Sequence, residues 1–233
     1  MAKWPKVIPE LTAEENDARD KWMTIWHEVL PKKYGVLEKF NHGYPVRYRE
    51  KSNEVILEIG AGLGEHIAYE PQDWAEYHCV ELRSNMAEQI KRRFPQVQVH
   101  VGNCQETLPF ASDYFDRVIA VHVLEHLPDL PAALNEIFRV VKPNGQFMVV
   151  IPCEGGLLYK FARHISSRRI WNKYYPKMDY YNVVMKNEHI NFPSEIQEEI
   201  ARKFNVQKRT FFPCWLPNED ANLVIGLMLT PRK

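Results

Sequence analysis

The sequence predicts an α/β protein with a doubly wound, mostly parallel sheet of seven strands. Short apolar runs alternate with amphipathic stretches between residues 54 and 152, a pattern typical of parallel strands joined by helices. Two more apolar runs lie near the carboxyl terminus without a full helix between them, which predicts a hairpin and an antiparallel terminal strand. A chain of 233 residues suits one such domain with a substantial core.

The amino-terminal region predicts a helical cap over residues 1–53. Thr12 can cap a helix that ends at Leu30, because Glu15 completes a capping box and Pro31 follows. A second short helical or irregular piece comes next. The apolar stripe of the first helix comprises Trp22, Ile25, Trp26 and Val29. We expect this helix to close over a ligand cleft.

Five strands and three helices are predicted in the first part of the core. The strands are Val55–Ile59, Tyr77–Leu82, Val97–Val101, Phe115–Val121 and Gln146–Ile151, the last after a turn at residues 142–145. The helices open near Gly64, at Ser84 and at Leu130. Ser84 is a suitable cap and Pro95 a suitable end for the second helix, while Pro131 lies in the first turn of the third.

The alternating pattern stops after the fifth strand, and residues 153–186 predict an inserted helical or irregular cap. The core then resumes over residues 187–233 with a helix at Ser194–Phe204 and strands at Val206–Phe212 and Leu223–Thr230. The cap carries the aromatic residues Tyr159, Phe161, Trp171, Tyr174, Tyr175, Tyr180 and Tyr181. These side chains either line a substrate pocket or pack the cap onto the core, and a homodimer face is a third interpretation.

Charge and cysteine content narrow the function classes. Thirty basic and thirty acidic residues cancel, so the chain has no field that favours nucleic acid or an anionic membrane. The four cysteines form no Cys-x-x-Cys pair, which predicts neither disulfides nor a metal site. The first residues lack the apolar core of a signal peptide, and no apolar run is long enough to span a bilayer. We therefore expect a cytoplasmic protein without a membrane span.

The first predicted strand ends in Glu58-Ile-Gly60-Ala61-Gly62-Leu-Gly64, and the second ends in Glu81-Leu82. Glycines there let the backbone turn tightly and approach a ligand, and a carboxylate about twenty residues on can accept from a ribose diol. A dinucleotide-binding fingerprint would need its third glycine at Glu65. An NAD-dependent oxidoreductase is accordingly the less favoured alternative.

Two further signatures follow at the expected strand ends. One is Gly102-Asn103-Cys104-Gln105, and the other runs from Phe115-Asp116 through His122-Val-Leu-Glu125-His126-Leu to Lys142-Pro143-Asn-Gly145. In this order, the four signatures resemble those of the class I S-adenosylmethionine-dependent methyltransferases over residues 54–152 and 189–231. The resemblance implies a Rossmann-like fold, S-adenosyl-L-methionine as cofactor and methyl transfer. A methyltransferase-like partner subunit without catalytic activity is the alternative.

The resemblance also implies a set of cofactor contacts. These are Glu58, Gly60, Ala61, Gly62, Gly64, Glu81, Leu82, Asn103, Cys104, Gln105 and His122. Glu58 would lie near the amino group and sulfonium or bond the glycine turn, and Glu81 would accept from the ribose hydroxyls. Relatives most often carry aspartate at position 103, where Asn103 can still accept from the adenine amino group.

Methyl transfer needs alignment, exclusion of water and, for an acceptor of high pKa, a base. His189, His126 and Glu125 are the catalytic candidates, with His189 favoured on the substrate side unless it only pins the cap by a backbone hydrogen bond. We expect the acceptor to be a small molecule that offers a hydroxyl or an amine, such as a metabolite, a saccharide or a lipid precursor. Nucleic acid is not expected as a substrate.

Overall fold

The computed structural model of the chain describes residues 2–33, 35–175 and 180–233, and its centre is a seven-stranded sheet. The strands are β1 (Val55–Ile59), β2 (Glu76–Glu81), β3 (Gln98–Val101), β4 (Phe115–Val121), β5 (Val141–Pro152), β6 (Phe204–Phe212) and β7 (Val224–Pro231). Their spatial order is β3-β2-β1-β4-β5-β7-β6, and β7 runs antiparallel to both of its neighbours. The predicted fold class is confirmed, including the antiparallel terminal strand.

Eight α-helices surround this sheet in the described part of the chain. They are α1 (Ala13–Lys33), α2 (Gly35–Arg47), α3 (Ser84–Arg93), α4 (Leu130–Val140), α5 (Leu157–Ile165), α6 (Ser167–Tyr174), α7 (Tyr181–Glu188) and α8 (Pro193–Ala201). Helix α4 has its predicted bounds because the Asp129 side chain accepts from the Ala132 amide and Pro131 occupies the first turn. Helix α1 continues past Pro31 to Lys33, three residues beyond its predicted end at Leu30. Pro31 lacks one amide donor, and the helix ends two residues after it.

The helix predicted to open near Gly64 is absent from the described residues between β1 and β2. A turn and a single 3₁₀ segment, Ile67–Tyr69, stand in its place. Only six residues separate Gly64 from Pro71, too few for a stable helix. The last of them, Glu70, is turned inward by the ion pair described next.

A buried ionic network lies at the amino-terminal end of the sheet. The Arg117 guanidinium on β4 donates to both carboxylate oxygens of Glu70 at 2.7 Å and to Glu54 at 3.0 Å. It also donates to the Pro45 carbonyl at 3.2 Å. His66 lies 2.9 Å from Glu70. Burial alone would raise the pKa of Glu70, but the bonds from His66 and Arg117 lower it to about 2. The network is therefore charged and fully hydrogen-bonded on the Arg117–Glu70 side.

The sheet is covered on both faces, and α1 contributes to a separate apolar cluster. Leu57 and Ile59 face one cluster, while Ile56 faces the other. Trp22 of α1 packs on Trp171, with ring centroids 5.3 Å apart, and on Tyr181. The predicted stripe members Trp26 and Val29 have side chains outside the described residues. Helix α1 thus joins the helices that follow β5, and the buried Trp171 and Tyr181 serve packing.

The other cap aromatics are less buried, and Phe161 and Tyr174 are exposed. Among the described helices, none combines the length and the apolarity that crossing a membrane requires.

Candidate functional site

The turn after β1 has the backbone geometry that only glycine adopts easily. Gly60, Gly62 and Gly64 have φ values of 65°, 57° and 79°. The Gly64 amide donates to the Ala61 carbonyl at 2.8 Å, and Ala61 is buried. A Cβ on Gly60 would lie 2.6 Å from a methyl group of Val123. The turn therefore packs directly against the segment that follows β4.

Glu81 connects the end of β2 to this turn. One carboxylate oxygen accepts from the Gly62 amide at 2.9 Å, and the other accepts from the Arg83 amide at 2.9 Å. Glu81 is buried, whereas the adjacent Leu82 is exposed. Each carboxylate oxygen keeps a second lone pair. The carboxylate is thus held in place and can still accept from a ligand.

Glu58 is a buried carboxyl group whose donors in the described part of the chain are uncharged. The Tyr77 hydroxyl donates to it at 2.8 Å and the Cys79 thiol lies at 3.9 Å. Burial raises the pKa of Glu58 to about 8, against the smaller lowering effect of the Tyr77 hydrogen bond. The hydrogen bonds described for Glu58 come from β2 and not from the glycine turn. Its approach to a bound amino group stays a prediction.

Asn103 and Gln105 form a local turn at the end of β3. The Asn103 side-chain oxygen accepts from the backbone amide of Gln105 at 3.0 Å and from its side-chain amide at 2.9 Å. The Gln105 side-chain oxygen accepts from the Asp129 amide at 2.7 Å. Cys104 between them is buried, which raises the pKa of its thiol to about 12. Contacts of these residues with adenine stay predictions, and the Asn103 oxygen already serves the turn.

His122 follows β4 with a φ of 54°, a value in the left-handed region that few non-glycine residues adopt. Its amide donates to the Val150 carbonyl at 2.9 Å, which holds the backbone there. Its Nδ1 lies 3.2 Å from a carboxylate oxygen of Glu125. Backbone strain of this kind tends to occur at functional sites.

The three catalytic candidates come together at the carboxyl-terminal edge of the sheet, although His189 lies more than sixty residues after Glu125 and His126 in sequence. Glu125 and His126 lie in the 3₁₀ segment Leu124–His126, and His189 directly follows α7. Ligand atoms of all three lie within 4.8 Å of one another, and the His126 and His189 rings meet edge to face at 5.0 Å. We call these three residues the Glu125 cluster.

Each member of the Glu125 cluster has a distinct electrostatic setting. Burial alone would raise the pKa of Glu125, but the His122 hydrogen bond and the charge of His126 lower it to about 2. Burial lowers the pKa of His126 against the pull of Glu125. His126 Nδ1 lies 2.6 Å from the Glu188 carbonyl. His189 Nδ1 lies 2.9 Å from the Glu154 carboxylate, so this side chain pairs with a carboxylate and not with the predicted backbone carbonyl.

A cleft of about 530 Å³ joins the end of β2 to the Glu125 cluster. Leu82 and Arg83 line one side and His126 lines another. The segment before α1 also lines it, through Ile8, Pro9, Glu10 and Leu11. The Lys6 ammonium fixes this segment by donating to the Ile190 carbonyl at 2.8 Å and to Glu195 at 2.7 Å. Sequence reasoning missed this segment, because no motif marks residues 3–11 as part of a site.

Residues 57–149, which run from β1 to β5, match the family model described as methyltransferase domain. This match and the curated relatives support the class I S-adenosylmethionine-dependent methyltransferase superfamily for this part of the chain.

The curated relatives that this chain resembles differ widely in acceptor. Sterol 24-C-methyltransferase erg6 of Schizosaccharomyces pombe is 30% identical over 120 residues, covering 48% of this chain and 32% of the relative. The malonyl-[acyl-carrier protein] O-methyltransferase of Halorhodospira halophila is 32% identical over 108 residues, covering 45% and 36%. The chain thus spans about a third of the length of these two curated relatives.

The fold of the chain also resembles solved structures. The PH0226 protein of Pyrococcus horikoshii OT3 aligns with a TM-score of 0.64 at 15% identity, covering 89% of this chain and 98% of that protein. At this identity the likeness concerns the fold alone.

Proposed function

We propose that this chain transfers a methyl group from S-adenosylmethionine to a hydroxyl or amine of a small molecule. The observation that carries the proposal is the pair of buried carboxyl groups beside the glycine turn. In the described part of the chain, neither Glu58 nor Glu81 forms an ion pair with lysine or arginine. S-adenosylmethionine carries a sulfonium and an ammonium that would lie near Glu58, and its ribose would offer two hydroxyl donors to Glu81.

The methyltransferase domain implies S-adenosylmethionine as the donor, and the residues present fit it. Gly60 and Gly62 would let the methionine portion approach the backbone, since neither position carries a Cβ. The free lone pairs of Glu81 would accept from the ribose hydroxyls. The adenine ring would lie against Cys104 and Gln105.

The same turn suits a pyrophosphate poorly. The Glu65 carboxylate accepts from the Leu63 amide at 2.9 Å. A dinucleotide would need such amides for its phosphates, and the carboxylate would repel them. This contact supports an adenosyl sulfonium over NAD.

When bound, S-adenosylmethionine supplies an electrophilic methyl carbon, which bonds to the acceptor oxygen or nitrogen while the sulfur–carbon bond breaks and its electrons stay on sulfur. The Glu125 cluster can take the proton that the acceptor loses. A carbonyl and an ionised carboxylate only accept, so His126 and His189 hold protons on Nδ1 and offer Nε2 as the acceptor atom. The Glu125 carboxylate would stabilise the imidazolium that results. Residues 8–11 would limit water in the cleft.

Two features support a small acceptor and a reducing setting. The cleft of about 530 Å³ matches the volume of sites that enclose small molecules. All four cysteines are free, and three of them are buried. We infer a cytoplasmic reaction on a metabolite-sized acceptor, without nucleic acid as substrate.

Calorimetry with S-adenosylhomocysteine tests the cofactor site. We expect the wild-type protein to bind at micromolar levels and NAD to give no heat. Glu81→Ala should weaken binding by about tenfold to a hundredfold or more, because it removes a carboxylate acceptor of two hydroxyl hydrogen bonds. Glu88→Ala, an exposed carboxylate on α3, is the matched control and should bind like the wild type. Absence of binding to the wild-type protein would refute the proposal.

A labelling experiment tests the acceptor class. Cell extract is split by ultrafiltration into small molecules and macromolecules, and each fraction is incubated with the protein and methyl-labelled S-adenosylmethionine. Label should enter the small-molecule fraction and should fall to background with Glu81→Ala. Label confined to the macromolecules would contradict a small acceptor.

A further inference from the structure

The Glu125 cluster has an arrangement that proton transfer alone does not require. One carboxylate and two imidazoles from separate segments place ligand atoms within 4.8 Å of one another. Two imidazole nitrogens with one carboxylate are a donor set that suits zinc, iron, cobalt or nickel. The contacts around the cluster show how far it is prepared for such an ion.

Both histidines are oriented from behind by acceptors. The Nδ1 of His126 donates to the Glu188 carbonyl at 2.6 Å, and the Nδ1 of His189 donates to the Glu154 carboxylate at 2.9 Å. Glu154 is itself held by the Arg163 guanidinium at 2.7 Å. Metal-binding histidines characteristically donate their other ring nitrogen to a carbonyl or carboxylate, which fixes the tautomer and the ring. Both Nε2 atoms are thereby left as ligand atoms.

The carboxylate of Glu125 is buried and only half satisfied. Its Oε1 lies 3.2 Å from Nδ1 of His122 and 3.9 Å from Nε2 of His126. Its Oε2 is buried and has no hydrogen-bond partner among the described residues. A buried carboxylate oxygen without a partner is costly, so a retained one indicates that a donor or a cation can bind there.

The backbone between the two segments is fixed in place. The amides of Ile190 and Asn191 both donate to the Glu125 carbonyl, at 2.9 and 3.0 Å. The Asn191 side-chain amide donates to the Leu124 and Leu127 carbonyls, each at 2.8 Å. His189 therefore cannot move far from Glu125. A site built on fixed backbone is suited to hold an ion without large rearrangement.

We propose that Glu125, His126 and His189 bind one divalent transition-metal ion. Metal bonds of about 2.0–2.2 Å bring donor atoms closer than the 3.9 Å between His126 and Glu125, so small side-chain rotations complete the site. Three protein ligands leave open positions, which suit a hydroxyl oxygen of the acceptor. The ion would then lower the pKa of that hydroxyl, and its proton would leave to water. With the ion bound, both Nε2 atoms would be ligands, so the base role proposed above for the imidazoles would apply only to the protein without the ion. This role in activation, though not the binding of the ion, rests on the proposed methyl transfer.

To test the site, the protein is first stripped of metal with a chelator. It is then titrated with cobalt(II), and binding is measured by visible absorption and by the shift in Tm. We expect one equivalent to bind, with absorption bands of a nitrogen- and oxygen-ligated ion, and zinc to displace it. Glu125→Gln and His189→Gln should each weaken binding by at least about a hundredfold, and Glu154→Gln by about tenfold to a hundredfold. His164→Gln, on the exposed side of α5, is the control and should bind like the wild type.

Circular dichroism shows which variants are folded, and His189→Gln decides the matter if Glu125→Gln fails to fold. No cobalt binding by wild-type protein, or unchanged binding by both variants, would overturn the site. Calorimetry with S-adenosylhomocysteine on the same samples separates the two proposals. Cofactor binding without metal binding removes only the metal, and metal binding without cofactor binding removes only the methyl transfer.

Discussion

The two ends of the central sheet treat buried carboxyl groups in opposite ways. At the amino-terminal end, Glu54 and Glu70 both accept from the Arg117 guanidinium, and Glu70 does so with two bonds of 2.7 Å. At the carboxyl-terminal end, Glu58, Glu81 and Glu125 form no ion pair with lysine or arginine in the described part of the chain. The carboxyl groups at one end are paired with an arginine, and those at the other end have no lysine or arginine partner among the described residues.

The paired carboxylates at the amino-terminal end contribute to stability, whereas the carboxyl groups at the carboxyl-terminal end are available to bind a ligand. Buried ion pairs of good geometry add little net free energy of unfolding, although breaking one is costly. Their charges are already paired and do not attract a charged ligand. Buried carboxyl groups without cations cost free energy unless something positive arrives. In our proposals, a cationic cofactor and a metal ion bind at the end of the sheet where the carboxyl groups have no lysine or arginine partner. The comparison makes three predictions about the protein without ligand.

The largest loss of stability should come from the Arg117 network at the amino-terminal end of the sheet. Arg117→Met leaves Glu54 and Glu70 buried without their cation, and we expect the free energy of unfolding to fall by about 3–5 kcal/mol. Chemical denaturation measures it. Lys91→Met is the control, because Lys91 pairs with the exposed Glu88, and it should cost about 1 kcal/mol or less. Similar losses in the two variants would show that the network does not hold the fold.

The same contrast explains what the sequence could predict. β1, β4 and α4 have their predicted bounds because strong apolar runs and local capping define them. The prediction of a helix near Gly64 was wrong. Glu70 pairs with Arg117 on β4, which is distant in sequence, and such tertiary contacts override local helix preference. An arginine inside the apolar run of β4 offered no signal of its partners. Local patterns therefore predicted the sheet but not the charge network.

The candidate site shows the same limit. The glycine turn and Glu81 were predictable from spacing alone, since the turn and the strand end are local features. The approach of His189 to Glu125 was not, because the helices after β5 decide where that segment returns. The lining of the cleft by residues 8–11 had no motif to announce it. Residues that meet only through the tertiary fold need the structure.

A second prediction concerns the packing of the glycine turn at the carboxyl-terminal end of the sheet. Gly60→Ala places a Cβ 2.6 Å from Val123 at a φ of 65°, and we expect a loss of about 2–4 kcal/mol from overlap and backbone strain. Adding Val123→Ala should recover the part due to overlap. Gly43→Ala lies in α2 with open space around it and should instead stabilise by about 0.5–1 kcal/mol. Thermal and denaturant unfolding measure all three. An unaffected Gly60→Ala protein would mean that this turn is not a tight cradle.

The smallest effect tests the unmatched charge itself. Burial raises the pKa of Glu58 from 4.5 to about 8, so the folded protein holds a proton there that the unfolded chain has lost. The stability that Glu58 contributes is therefore fully present below pH 4.5 and is lost as the pH rises toward 8. Glu58→Gln keeps an acceptor for Tyr77 and carries no charge. It should match the wild type in acid and be more stable by about 1–3 kcal/mol near pH 9, with water entry limiting the gain.

Denaturation curves across this pH range measure the difference, and Glu88→Gln, exposed on α3, should show none. Saturating S-adenosylhomocysteine should reduce the stability difference between the wild type and Glu58→Gln at alkaline pH. Its ammonium would neutralise the Glu58 carboxylate of the wild type, whereas Glu58→Gln has no carboxylate at this position. A difference in stability that stays constant with pH would mean that Glu58 already has a cation, and the contrast between the two ends of the sheet would fail at Glu58.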